Sequence, residues 1–251
     1  VVNFLFPAPC LGCGGRVPEA CRGLGLCARC HGMLSPACPA RSQPCVTCGR
    51  PLAVAAAPRG YRCGACRRAP PPFERLVAVW SYQPPLSKVL LALKLRRLDY
   101  LAEGLAAAAL ERLQARDELA ELATVEVVIP VPLHWRRRWW RGFNQAEAIA
   151  RPLAKALGVR HCDALRRRRS GPSQRSLGRG GRLVGPAGSF GQRPGASLSG
   201  RRVLLVDDVV TTGATLAAAT EALRRAGARE VIALALARTP EPGAKGSESG
   251  M

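Results

Sequence analysis

Apolar residues along this chain change their spacing repeatedly, and each change marks an element. FERLVAVWSY (73–82) runs apolar and alternates as a strand does. LSKVLLALKL (86–95) is spaced as a helix. LAEGLAAAALERLQARDELAEL (101–122) reads as one longer helix, with apolar residues three and four apart. VEVVIPVP (125–132) is a short buried strand stopped by prolines. NQAEAIARPLAKALG (144–158) is a helix ended by Gly158, with Pro152 as a kink point. Residues 165–200 are mostly Arg, Gly, Ser and Pro and predict a long loop. VLLVDD (203–208) is a strand, ATLAAATEALRRAG (214–227) a helix stopped by Gly227, and EVIALALA (230–237) another strand. The tail over 240–251 is predicted to be disordered.

Strand–helix–strand order with continuous apolar strands predicts an α/β fold, a parallel sheet covered by helices on both faces. Ligands of such sheets sit outside the carboxyl ends of the strands. Asp207 and Asp208 are expected at one such end.

The first 70 residues follow another rule. They hold few large apolar residues but four CxxC pairs: Cys10/Cys13, Cys27/Cys30, Cys45/Cys48 and Cys63/Cys66. Gaps of 13, 14 and 14 residues separate the pairs, close to zinc-ribbon spacing. Each pair lets two thiolates converge on a tetrahedral metal. About two structural Zn²⁺ ions are therefore expected, with pairing either sequential or cross-braced. Gly14 and Gly49 follow their CxxC pairs, where a positive φ is useful. Disulfides fit less well, because the start of the chain lacks a basic n-region and Pro7 and Pro9 break its apolar stretch. Cys21 and Cys38 read as small buried fillers and His31 as a surface residue. APPP (69–72) is a stiff joint, so the expected organisation is a zinc-binding domain over 1–70, a second domain over 73–239 with a mobile basic loop at about 165–200, and the tail.

Composition adds charge. There are 38 Lys+Arg against 17 Asp+Glu, a net charge of +21. That excess points to polyanionic partners, although arginine-rich coding bias accounts for part of it. The clustering is more telling: Arg136 to Arg182 contains thirteen arginines and Lys155 against Glu147 and Asp163 alone. Within it, Trp135, Trp139 and Trp140 alternate with Arg136, Arg137, Arg138 and Arg141. Arginine pairs phosphates and tryptophan offers a face to an unstacked base, so this stretch is a candidate single-stranded nucleic-acid surface. Packing of the tryptophans at a domain edge is the competing reading. No apolar run is long enough to span a membrane, and a cytoplasmic location is expected.

Behind the two acids comes Thr211-Thr212-Gly213-Ala214-Thr215, then a helix. A small-residue loop feeding a helix presents unpaired N–H groups and a positive helix end to an anion. No lysine follows in the Walker manner. Carboxylates would repel a phosphate, but they accept hydrogen bonds from vicinal hydroxyls. A ligand with a phosphate at one end and sugar hydroxyls at the other satisfies both halves, as ribose 5-phosphate does.

VLLVDDVVTTGAT (203–215) resembles the phosphoribosyl pyrophosphate (PRPP) motif of type I phosphoribosyltransferases. With PVPLH (130–134), RGFNQA (141–146), SQRSL (173–177), Lys94 of ALKL and the CxxC pairs, the chain resembles the ComF family of competence proteins. The resemblance implies a zinc-binding N-terminal region, a phosphoribosyltransferase-like domain and a link to DNA uptake, with competence-machinery proteins as further partners. It implies that Asp207 and Asp208 hold ribose hydroxyls, and that Thr211, Thr212, Gly213, Ala214 and Thr215 hold the 5-phosphate. Pro130, Val131, Pro132, Leu133 and His134 would contact pyrophosphate, which carries Mg²⁺, under a mobile loop at 166–182. The sequence departs from the family at Gly171 and Gly185, where Thr and Asn are usual, and has GSF (188–190) for GAF. Thr211 stands where purine-salvage enzymes often carry an acid. Two functions follow: a PRPP-binding competence factor that handles single-stranded DNA, or an active phosphoribosyltransferase on a nucleobase or amine. No residue declares itself as catalytic base.

Overall fold

The computed structural model describes residues 8–39, 42–52, 60–96, 98, 100–133, 142–168 and 188–240. In chain order these form a 3-10 helix (Glu19–Leu24), α1 (Ala28–Gly32), β1 (Gln43–Pro44), β2 (Pro51–Leu52), α2 (Gly64–Arg68), β3 (Arg75–Ser81), α3 (Leu86–Arg96), α4 (Tyr100–Gln114), α5 (Leu119–Leu122) and β4 (Val127–Pro130). Then follow α6 (Gln145–Ala156), β5 (Arg160–His161), β6 (Leu165–Arg167), β7 (Phe190–Gln192), β8 (Arg202–Val210), α7 (Ala214–Arg225) and β9 (Glu230–Arg238).

The expected parallel sheet is present, in the order β3-β9-β8-β4-β5 with every neighbouring pair parallel. Val203, Leu204, Leu205 and Val206 of β8 are wholly inaccessible, as is most of β9. A strand can be apolar throughout only if both faces are covered, and here they are. One apolar layer lies between the sheet and α3, α4 and α6, the other between the sheet and α7. No helix among the described residues is long and apolar enough to cross a membrane.

Two elements differ from their sequence reading. The helix expected over 101–122 breaks after Gln114, and Asp117 takes a positive φ of 56°. Aspartate tolerates that region better than most residues. The break turns Glu118 and Glu121 toward Arg75 of β3, with Arg75 Nη2 donating to Glu118 at 2.9 Å. The loop expected over 165–200 starts and ends as a ribbon, β6 antiparallel to β7. Each strand has three residues with one buried anchor, Leu165 or Phe190, too short a pattern to register as periodicity.

The cysteine-rich region is packed into the main core. Val17, Leu24, Leu26 and Leu34 share one apolar cluster with Leu90, Leu101 and Leu105. It also closes the open side of the sheet. The Ser81 amide donates to the Ser35 carbonyl (2.9 Å), the Ala37 amide to the Val79 carbonyl (3.2 Å), and the Leu76 amide to the Thr47 carbonyl (2.8 Å). The 3-10 helix approaches α4 so closely that a Cβ on Gly104 would stand 2.0 Å from the Gly23 carbonyl oxygen.

Gly104 yields a test whose sign is diagnostic. In an exposed helix, Gly→Ala stabilises by about 1 kcal/mol. Here Gly104→Ala is expected to destabilise by about 2 kcal/mol through overpacking, read as a lower urea midpoint. Gly32→Ala, which meets open space, should change stability by no more than about 0.5 kcal/mol.

Candidate functional site

β8 and β4 set the acids. β4 ends at Pro130, opposite Val206, and the Val131 amide then donates to the Val206 carbonyl at 2.8 Å. β8 itself runs on to Val210, paired on its other side with β9. Asp207 and Asp208 therefore lie inside β8, beyond the end of β4, where the sheet opens on one side. The sequence reading ended the strand at the acids; pairing with β9 carries it two residues further.

Consecutive strand residues face opposite ways. Asp208 lies on the face of Leu204 and Val206, beneath α3, and is ion-paired with Lys94 of that helix. The Asp207 carboxylate folds back to accept the Asp208 amide at 2.9 Å. Burial and the charge of Asp208 push the Asp207 carboxyl well above the usual carboxylate range. The site thus holds two acids at close quarters with one lysine between them and the helix above.

Thr211 and Thr212 are exposed, and Gly213 is buried with φ 86°, ψ 0°. A side chain there would be strained, so glycine is what lets the strand turn into α7. The helix opens with no side-chain cap and no acid in its first turn. Its leading N–H groups beyond Ala214 and its positive end are thereby available to an anion. Thr212 Oγ1 accepts the Ala214 amide at 3.3 Å, which leaves the loop pre-shaped.

The loop after β4 is pinned from behind. Asn144, buried at the start of α6, caps that helix by accepting the Ala146 amide (3.2 Å) and donates from Nδ2 to the Val131 carbonyl (3.0 Å). Pro130, Val131, Pro132 and Leu133 are thus held beside the first acid. His134 and the whole stretch Arg136, Arg137, Arg138, Trp139, Trp140 and Arg141 lie outside the described residues, as do 169–187, with Gly171 and Gly185.

The cysteines gather as two groups of four: Cys10, Cys13, Cys27 and Cys30, then Cys45, Cys48, Cys63 and Cys66. This is the sequential of the two arrangements. Within each group the sulfurs lie within 4.8 Å of one another. Cys13 and Cys27 sulfurs are 3.8 Å apart, as are those of Cys48 and Cys63. A tetrahedron with ~2.3 Å metal–sulfur bonds has an edge of ~3.8 Å, so the donor set fits zinc. The described cysteines form no disulfide. The two halves repeat in detail: the Cys27 amide donates to Cys10 Sγ and the Cys63 amide to Cys45 Sγ, both at 3.2 Å. Burial alone would push the Cys10 thiol up; amides of Cys13, Cys27 and Gly12 outweigh it and bring it down to about 6. The same balance, with amides of Cys48, Cys63 and Thr47, brings Cys45 down to about 7. Cys38 is buried, as expected, and His31 is exposed.

Residues 144–248 match the profile of the phosphoribosyl transferase domain. The DNA utilization protein YhgH of Escherichia coli O6:H1 is 37% identical over 229 residues, 89% of this chain and 95% of that protein. Competence protein F of Haemophilus influenzae is 30% identical over 241 residues, 95% of this chain and all of that one. The chain belongs to the ComF family. Competence protein ComFC of Streptococcus pneumoniae matches at 34% over 122 residues, 49% of this chain and 52% of that one. Among solved structures, the purine phosphoribosyltransferase of Pyrococcus horikoshii superimposes with a TM-score of 0.34 at 20% identity, covering 57% of this chain and 76% of that one, too loose an agreement to bear on the site.

In this ComF-family chain the structure adds side chains to which the sequence reading gave no role. Lys94 was visible only as part of a motif; its contact with Asp208 joins residues 114 positions apart. Arg238, buried at the end of β9, donates to the Cys48 carbonyl. Its strand partner is Val210, next to Thr211. A Cβ on Gly49, which has φ 66°, would stand 2.4 Å from the Leu76 carbonyl oxygen. The second thiolate cluster therefore sits directly on β3 and on the end of β9.

Asp207 predicts a pH dependence. Its carboxyl is raised in the folded chain, so its contribution to stability is full below the unfolded value of ~3.9 and is lost as pH rises through the folded value. Asp207→Asn removes that loss. Its melting temperature is expected to exceed wild type near pH ~8 and to converge with it near pH ~4, measured by scanning fluorimetry without ligand.

Proposed function

We propose that this ComF-family chain binds PRPP at the β8–α7 turn and single-stranded DNA on its basic surface, serving DNA uptake or use. The observation that carries the PRPP reading is the junction itself. Two carboxylates stand beyond the end of β4, and a helix start with no acid in its first turn follows on the same strand. Hydroxyls of a ribose satisfy the first and its 5-phosphate the second. Lys94 adds a cation beside the acids, suited to the pyrophosphate end, and the loop held by Asn144 supplies its floor. Mg²⁺ would travel with the pyrophosphate. The DNA reading is supported by the +21 charge and by the relatives' names, which speak of DNA utilization and competence.

The phosphoribosyl transferase match favours turnover as a second reading. In that reaction the C1–oxygen bond to pyrophosphate breaks, pyrophosphate leaves with the electron pair, and an acceptor nitrogen bonds to C1 and sheds its proton to solvent. Zn²⁺ in the two thiolate sites has a holding role, since four sulfurs leave no open position.

Titration with PRPP tests the site. Wild type should show a PRPP-dependent rise in melting temperature, and Asp208→Asn should lose at least ~1.4 kcal/mol of binding, a tenfold weakening. No PRPP-dependent shift in wild type would sink the reading. Pyrophosphate assayed in the same samples, with nucleobases or amines added, separates binding from turnover. Metal analysis of purified protein should give two zinc per chain, one for each four-cysteine group; Cys45→Ser should lower this toward one and reduce stability. A metal-free, equally stable protein would overturn the zinc assignment.

A further inference from the structure

The β6–β7 ribbon lies across the far end of α7. Between them is an open pocket of about 400 Å³, lined by Arg168, Gly188, Phe190, Gly191, Gln192, Ala222 and Arg225. Small-ligand sites begin at ~300 Å³, so it is large enough to hold a phosphate with its sugar. It is separate from the PRPP candidate. Arg225 is the last residue of α7, and Ala214, which opens it, is about 16 Å away at 1.5 Å rise per residue.

Its chemistry is one-sided. No acid lines it. Arg75, Arg151, Arg193, Arg201, Arg202 and Arg224 are each ion-paired with a carboxylate. Arg168, just past β6, and Arg225, the last residue of α7, are both exposed and have no carboxylate partner among the described residues. Gly191 is what lets Arg168 lie down over the ribbon: a Cβ there would stand 2.3 Å from Arg168 Nε. The partly buried Arg167 is instead held over the Phe190 ring, 5.3 Å from its centroid. Two guanidinium forks that share a pocket can serve more acceptor oxygens than one carboxylate has. A phosphate group, with three or four, matches them.

We propose that Arg168 and Arg225 form a second phosphate-binding site at the C-terminal end of α7, for a nucleotide phosphate or a nucleic-acid backbone. The site does not depend on the PRPP reading, and either can fail without the other.

The test is fluorescence anisotropy on the full chain with two probes, a labelled oligo-dT and a labelled nucleoside monophosphate, at two salt concentrations. Arg168→Ala/Arg225→Ala should weaken probe binding about tenfold or more and lower the salt slope for oligo-dT by about two. Gly191→Ala keeps both charges but displaces Arg168, and should weaken binding as well. Arg29→Ala, an exposed arginine on α1, should not. The melting temperature without ligand should be the same in every variant, which reports folding. Loss of both probes assigns the site to free nucleotides, and loss of oligo-dT alone assigns it to a polymer backbone. If the double variant binds both probes as tightly as wild type, or wild type binds neither, the site is excluded.

Discussion

The outer edge of β3 is the constraint around which the molecule is arranged. A parallel sheet that ends in a bare strand exposes amides and carbonyls that invite pairing with another chain. Here that edge is closed by the cysteine-rich region: Ser35 and Ala37 pair with the end of β3, and Thr47 with its start. The segment has few large apolar side chains, and its cysteines gather as two groups of four; a metal ion in each would hold its shape. Gathered, it can present carbonyls and amides at fixed positions to the strand. The covering of the sheet and the two four-cysteine groups belong to one segment, and Gly49 and Gly104 are the points where backbone must touch backbone.

The same contact reaches the candidate site. Arg238 ends β9 while bonded to the Cys48 carbonyl, and its partner Val210 ends β8. The Thr239 amide closes the corner on the Val210 carbonyl at 3.0 Å. The Thr211–Thr215 loop begins one residue later, so its starting point is set by a strand anchored to the second four-cysteine group. Two adjacent carboxylates in so basic a chain are held apart in function by direction: Asp208 toward Lys94, Asp207 back toward the strand. The raised Asp207 carboxyl is the penalty of that crowding, and sites built for ligands often carry such a penalty.

Much of this was legible in the chain. The long apolar strands β8 and β9 and the helices α3, α6 and α7 stood out because their periodicities persist for three turns or a full strand. The eight cysteines stood out because thiolate pairs at that spacing have few other uses. The junction proposed to take a ribose phosphate was legible because both of its halves come from thirteen consecutive residues, 203–215. Short elements were not. The β6–β7 ribbon has one anchor per strand, and the break at Asp117 lies within an unbroken helical pattern. The purpose of Asn144 was hidden too, since its partner is the backbone of Val131, thirteen positions away.

By itself, then, the sequence determined whatever is encoded locally: element types, cysteine pairs, and a small-residue loop next to two acids. Only the tertiary structure decided the partners. It chose sequential over cross-braced cysteine grouping, placed Lys94 on Asp208, set Arg238 against Cys48, and opened a pocket between Arg168 and Arg225. These are contacts between residues from 14 to 190 positions apart. Periodicity carries no information about them, because they arise where already-formed elements pack, and backbone groups that have no sequence signature supply half of the partners.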